Sequence, residues 1–175
     1  MASAQNINDP KYGLGCIPEE NGVVTFTRSF PTGMATGSVA YETLLTWAKG
    51  YFVKPNVTLA KSAGEDADAL SFSFVVSQDI VFRSTALVVD KSQMNYLLKV
   101  SVTDVGATLS FSQISYVYEE EREGEGLRLT AEEWITDSRS TNRKRTKFLK
   151  VPYKFRVGTI DTVDKISTAA EELFR

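Results

Sequence analysis

Five cations in the stretch SRSTNRKRTK, namely Arg139, Arg143, Lys144, Arg145 and Lys147, are the residues best suited to meet a charged ligand. Lys150, Lys154 and Arg156 follow, so the segment 139–156 carries eight positive charges and no acid. Each cation set against a phosphate or similar anion releases counterions and adds affinity, which makes the run a candidate polyanion contact. Two features oppose this. A glutamate-rich run (Glu119, Glu120, Glu121, Glu123, Glu125) lies upstream and could neutralise the patch, and no aromatic stands among the cations until Phe148. Single-strand binders need such aromatics as stacking platforms. The expectation is therefore a solvated, structurally placed face, without specific binding to duplex DNA or RNA.

Other chemistries find little material. The chain has no histidine and a single cysteine, Cys16. That removes His-based triads, the usual zinc sites and an intramolecular disulfide, and it leaves a Cys16 thiolate without its customary base. No metal and no cofactor is expected. Glu65, Asp66 and Asp68 crowd GEDADA but lack the spacing of a calcium loop, so they read as turn carboxylates. No catalytic residue emerges, and the chain reads as not an enzyme.

The positioning elements come from a chain of 175 residues, 42% hydrophobic and 24% charged, with a net charge of -2. These values describe a folded domain with a real core, and they make any electrostatic function local. No apolar run is long enough for a membrane helix, so no transmembrane segment is expected. Residues 1–20 read as an N-terminal arm and 21–175 as a single α+β domain. Within the arm, Ala2-Ser3-Ala4 has the small-x-small form that precedes a signal-peptidase cut, consistent with a trimmed signal sequence.

Period-two alternation marks a strand from Val23 to Phe30, with Val24, Phe26 and Phe30 inward. Ser38 is expected to cap a helix whose stripe runs through Tyr41, Leu44, Leu45, Ala48, Tyr51 and Phe52. Alternation then returns: VTLAK as a short strand, GEDADA as a turn, LSFSFVV with Leu70, Phe72, Phe74 and Val76 on one face, IVFRSTALVV, and a turn at DKSQ. A strand through Met94, Tyr96, Leu98, Val100 and Val102 reaches the hairpin signal Asp104-Val105-Gly106. In the returning strand the inward set changes phase, from Leu109 and Phe111 to Ile114, Tyr116 and Tyr118, which requires a bulge near Ser112-Gln113. Thr130-Ala131-Glu132-Glu133 matches the capping box and should start a short helix that turns Trp134 and Ile135 inward. FLKVPYKFRV reads as extended around Pro152, and Asp161 should cap a last helix with Val163, Ile166, Ala169, Ala170, Leu173 and Phe174 on its stripe. The result is α+β: a curved antiparallel sheet with helices packed on one face, plus a C-terminal helical extension.

NGVVTF before YETLLTWAKGYF, STALVVDKSQMNYLLKVSV, ISYVYE, and TAEEWITD followed by NRKRTK and KFRVGTIDTVDKI together resemble the exported bacterial domain of unknown function family 4468, which has a fold like that of the TATA-box-binding protein (TBP-like). The resemblance runs from about Asn21 onward, and ASAQNINDPKY is similar to the segment such proteins carry after signal cleavage. It implies one domain and a periplasmic or cell-surface location, and it supplies no catalytic residues. DNA binding does not follow from the fold, because function resides in sites grafted on folds. The outward residues Asn95, Leu97, Lys99, Ser101 and Thr103 include one cation and no aromatic, a poor DNA surface.

The reading of function is a non-enzymatic binding or structural module of the bacterial cell envelope. It would act through protein–protein contacts, with self-association through a sheet edge as one form. The alternatives are a carrier of a small apolar or glycan ligand in an aromatic-lined cleft, and a polyanion binder using 139–156.

Overall fold

The computed structural model describes residues 5–53, 55–118 and 126–175, so Ala2-Ser3-Ala4 and the glutamate run at 119–125 lie outside the described residues. After the arm, β1 (Glu19–Glu20) and β2 (Val23–Val24) close a two-residue hairpin at Asn21-Gly22. Both turn residues have positive φ, 52° and 76°, as Asn-Gly hairpins require. Next come β3 (Phe26–Pro31) and α1 (Gly37–Tyr51). A meander of long strands follows: β4 (Val57–Asp66), β5 (Ser71–Ser84), β6 (Val89–Val102) and β7 (Gly106–Tyr118). The chain ends with β8 (Leu127–Thr130), α2 (Ala131–Trp134), α3 (Asp137–Ser140), α4 (Lys150–Glu171) and a 3-10 turn at Glu172–Phe174.

β1 and β2 pair only with each other; the other six strands form one antiparallel sheet in the order β3-β7-β6-β5-β4, with β8 joining the far end of β7. Alternation explains the layers. One face carries Phe72, Phe74, Val76, Met94, Tyr96, Leu98, Leu109, Phe111, Ile114 and Tyr116, all buried. Onto it pack α1, through Tyr41, Leu44, Leu45 and Ala48, and α4, through Phe155, Ile160, Val163 and Ile166. Each fully buried Leu or Phe contributes about 1.5–3 kcal/mol. The opposite face has no covering element among the described residues and is rich in small hydroxyl residues. There Ser29 and Thr108 bond hydroxyl to hydroxyl at 2.9 Å, and Ser77 donates to Asn95 at 2.6 Å.

The bulge lies where the phase change requires it. Asn95 pairs with Ser115 and Leu97 with Ser112, leaving Gln113 and Ile114 opposite Tyr96, and Gln113 has φ 53°. The extra residue lets Phe111 and Ile114 both point into the core.

Several local expectations are corrected. Thr36, not Ser38, precedes α1, and it makes no side-chain cap bond. GEDADA is not wholly a turn: β4 runs through Asp66, and the turn follows at 67–70, where Leu70 is half-buried with φ 50°. The turn expected at DKSQ lies instead at 85–88, closed by Thr85 N–H to the Val88 carbonyl and by the Thr85 hydroxyl; Asp90–Gln93 is strand. FLKVPYKFRV is not extended. α4 starts at Lys150, with Pro152 in the first turn where its missing N–H costs no helical bond. Asp161 is therefore mid-helix rather than a cap, and Leu173 is exposed. The capping box forms as expected: Glu133 N–H donates to Thr130 Oγ1, and Thr130 N–H to Glu133 Oε2 at 2.9 Å. Ile135 is fully buried, whereas Trp134 is half-buried, edge-on to Phe155 at 5.9 Å.

Candidate functional site

The basic segment divides into two populations. Between α3 and α4 the chain forms a tight loop, closed by a bridge between Thr141 and Phe148 and by Leu149 N–H to the Ser140 carbonyl. Asn142 organises it: its Oδ1 accepts from the backbone N–H of Thr146 at 2.8 Å and of Lys147 at 3.2 Å, and its Nδ2 donates to Thr146 Oγ1 at 2.9 Å. Arg143, Lys144, Arg145 and Lys147 stand exposed on this loop, with Arg139 exposed on α3. Four of the five share this loop, and Arg139 lies on the helix before it. None forms an ion pair among the described residues, and the upstream glutamates lie outside them.

Lys154 and Arg156 do different work. Lys154 Nζ sits 2.8 Å from Asp90 Oδ2 and 2.7 Å from Tyr118 Oη, over the rings of Phe82 and Tyr118. Tyr118 Oη also donates to Asp90 Oδ1 at 2.8 Å. Burial pushes the Asp90 carboxyl up, but the bonds from Lys154 and Tyr118 outweigh it and leave the group below its ordinary value. For Lys154 burial acts downward and the same two partners act upward, with a net rise. Each ionic group here has its partner, the mark of a satisfied cluster.

Arg156 is wholly buried. Its guanidinium donates to the carbonyls of Tyr12 (2.7 Å), Ile135 (3.0 Å) and Gly13, and to Ser140 Oγ (3.3 Å), and it pairs with Asp137 Oδ1 at 2.8 Å. The other Asp137 oxygen accepts Gly15 N–H at 2.9 Å. The N-terminal arm is thus clasped to α3 and α4, with Ile17 buried, and Lys11 and Tyr12 both reach Asp161. At Gly13 a Cβ would lie 2.4 Å from the Asp9 carbonyl oxygen, so only glycine fits the coil. Cys16 contributes to this packing, its Sγ 3.4 Å from the Pro10 carbonyl. The clasp was not legible in a charge run, because no local pattern announces that one of eight cations turns inward.

Two of the three turn carboxylates have structural partners. Glu65 pairs with Lys49 at 3.0 Å, and Asp66 accepts Ala69 N–H at 2.9 Å. Among the described residues no cluster of three or more metal-ligating side chains occurs.

Two surfaces remain. β4 is the outer strand of the sheet on its side, exposed along most of its length. Its Leu59 lies near Val75 on the uncovered face, all but diagonal in register, and Val75 is paired with Leu97. Where β4 begins, a cleft of about 550 Å3 opens between the end of α1, β5 and α4. Its lining includes Tyr51, Gln78, Ile80, Thr162, Lys165 and Ile166, so a single aromatic faces it.

Residues 26–117 match the family described as "Domain of unknown function (DUF4468) with TBP-like fold". The chain is similar to a DUF4468 family protein from Bacteroides ovatus ATCC 8483, with 26% identity, a TM-score of 0.82 and 95% of each chain covered. It shares its fold with a TBP-like protein from Parabacteroides distasonis ATCC 8503, at 19% identity and a TM-score of 0.73, covering 90% of this chain and 96% of that one. Among curated proteins no sequence match was found.

Proposed function

The chain belongs to the DUF4468 family, a domain of unknown function with a TBP-like fold, and on that premise we propose that it is a non-enzymatic binding module of the bacterial cell envelope that holds a protein partner at the free edge of its sheet. One observation carries this reading. Among the described residues helices cover the sheet on one face only, and β4, the outer strand on its side, pairs with no further strand. Free edges offer unpaired main-chain groups, and neighbouring side chains supply specificity for an added strand. Leu59 and Val75, both exposed, and the adjacent Leu97 form an apolar strip beside that edge. The partner is another protein or a second copy of this chain.

The absence of histidine supports a non-catalytic role, as does the engagement of the Lys154, Asp90 and Tyr118 groups with one another. A cleft lined, among the described residues, by Tyr51 as its one aromatic lends less support to a carrier of apolar ligands. Envelope location rests on the resemblance to exported proteins; cell fractionation tests it. The partner reading is tested by photo-crosslinking amino acids placed at Leu59, Val75 and Val81 in cells, with exposed Thr168 on α4 as control. Discrete protein adducts from the edge positions and none from Thr168 are expected. Equal labelling at all four positions would refute it.

A further inference from the structure

We infer that the cleft between the free end of β5 and α4 receives an extended acidic peptide as an added strand, with an apolar side chain seated in the cleft and a carboxylate beside it. This rests on the partner-binding reading and specifies where the partner strand lies and what chemistry it carries.

β4 accompanies β5 only as far as Gln78, opposite Val57, whereas β5 continues to Ser84. Asp79 N–H donates to the Asn56 carbonyl at 2.9 Å. In an antiparallel ladder, backbone groups alternate between the two sides. Val81, two residues on, therefore directs its N–H and C=O to the same open side, where no backbone partner meets them among the described residues. β4 carries two register shifts, between Val57 and Leu59 and between Ser62 and Gly64; β5 carries one against β6, between Val81 and Arg83, so the regular open edge ends at Val81. Bulges of this kind blunt an edge against strand addition. The unpaired end of β5 lacks β4 beside it.

A helix stands beside this edge. α4 rests on β5 at Gly158, where a Cβ would come within 3.3 Å of the Phe82 ring, and glycine permits the approach. Next to that contact lies the cleft, with Ile80, Val57, Ile166 and Tyr51 as apolar surface. Alternate side chains of an added strand would point into it, because side chains along a strand alternate between faces. A strand edge flanked by a helix is a recurring arrangement for peptide capture.

Charge selects the peptide. The acids around the cleft are already engaged: Asp161 with Lys11 at 2.7 Å, Asp79 with Lys91 at 2.7 Å, and Asp90 with Lys154 at 2.8 Å. Lys165 on α4, which lines the cleft, is exposed and forms no ion pair among the described residues. The uncompensated charge at the mouth is positive, and it complements Asp or Glu flanking the buried side chain.

The test uses the full chain panned against a displayed library of random peptides of about ten residues, long enough to span a typical strand. Recovered peptides are synthesised and titrated against the protein, and amide hydrogen exchange is followed at saturation. The expected consensus is an apolar residue with Asp or Glu one or two positions away. The Val81 amide should exchange at least about tenfold more slowly in the complex. Lys165→Glu, at an exposed position, should weaken binding about tenfold or more with unchanged melting, and Thr162→Trp should block the cleft. Recovery of no peptide, a consensus without acids, or affinity indifferent to Lys165→Glu would each overturn the inference. Protection on β4 instead of Val81 would also overturn it, while adducts in cells from Leu59 would leave the partner-binding reading standing.

Discussion

Replacing Arg156 with Met should destabilise the protein by about 3–5 kcal/mol, the range for breaking a buried ion pair by deleting one partner. The magnitude follows from what the guanidinium leaves behind. Three carbonyls, of Tyr12, Gly13 and Ile135, lose their donor together with the Asp137 carboxylate. Each buried acceptor left unsatisfied costs about 1–3 kcal/mol. Water reaching the part-exposed Asp137 and the loosened arm reduces the total below a simple sum. For a chain of this length the change corresponds to a fall of about 6–20 °C in melting temperature. Arg156→Lys should recover little, because a point ammonium cannot span acceptors arranged for a planar fork. Urea unfolding gives the free energy, and hydrogen exchange at the Gly15 amide gives the local effect. In both variants Gly15 should lose protection ahead of the sheet. A Lys variant within about 0.5 kcal/mol of the parent, the usual range for an inconsequential surface change, would refute the assignment of these bonds as the anchor of the arm.

Trp134→Ala should cost about 2–4 kcal/mol, toward the lower part of the range for a core Trp because the ring is half-buried. Trp134→Phe should cost under about 1 kcal/mol, since among the described residues the buried indole N–H has no partner; equal losses in urea unfolding would contradict this. Asp90 is held below its ordinary value of 3.8 by Lys154 and Tyr118 against the opposing effect of burial, so its contribution is present above that value and disappears as pH falls through the depressed one. Stability measured from pH 5 to pH 2 should therefore decline less steeply in Asp90→Asn, and parallel curves would exclude a role for the cluster. The parent should show no specific binding to duplex DNA in fluorescence anisotropy at physiological salt, and tight, salt-sensitive binding lost on reversing Arg143, Lys144 and Arg145 to Glu would establish a polyanion site there.

Elements with an uninterrupted period were legible in the sequence. The α1 stripe, the phase change that requires a bulge at Gln113 and the capping box at Thr130 all depend on near neighbours, and each took the expected place. Misreadings arose where distant partners satisfy polar groups. Asp90 and Ser92 face the buried side of β6, so DKSQ resembles a turn; in the fold Tyr118 and Lys154 meet Asp90, and Ser92 Oγ donates to the Val117 carbonyl at 3.0 Å. Pro152 and the buried Arg156 obscured the first half of α4 in the same way, since proline is harmless in a first turn and the acceptors of Arg156 lie in other segments. The cleft could not be read at all. It exists because β5 outlasts β4, a difference in strand ends that no single strand encodes.

The Arg156 clasp joins residues 144 positions apart, so it also sets an order of events during synthesis. At about 5–20 residues per second, Arg156 emerges from the ribosome's catalytic centre about 7–30 s after Tyr12. Through that interval the arm has no clasp to enter, and the Tyr12 and Gly13 carbonyls wait for their donor. The clasp therefore closes only after α4 has emerged and folded, when the guanidinium takes its carbonyls.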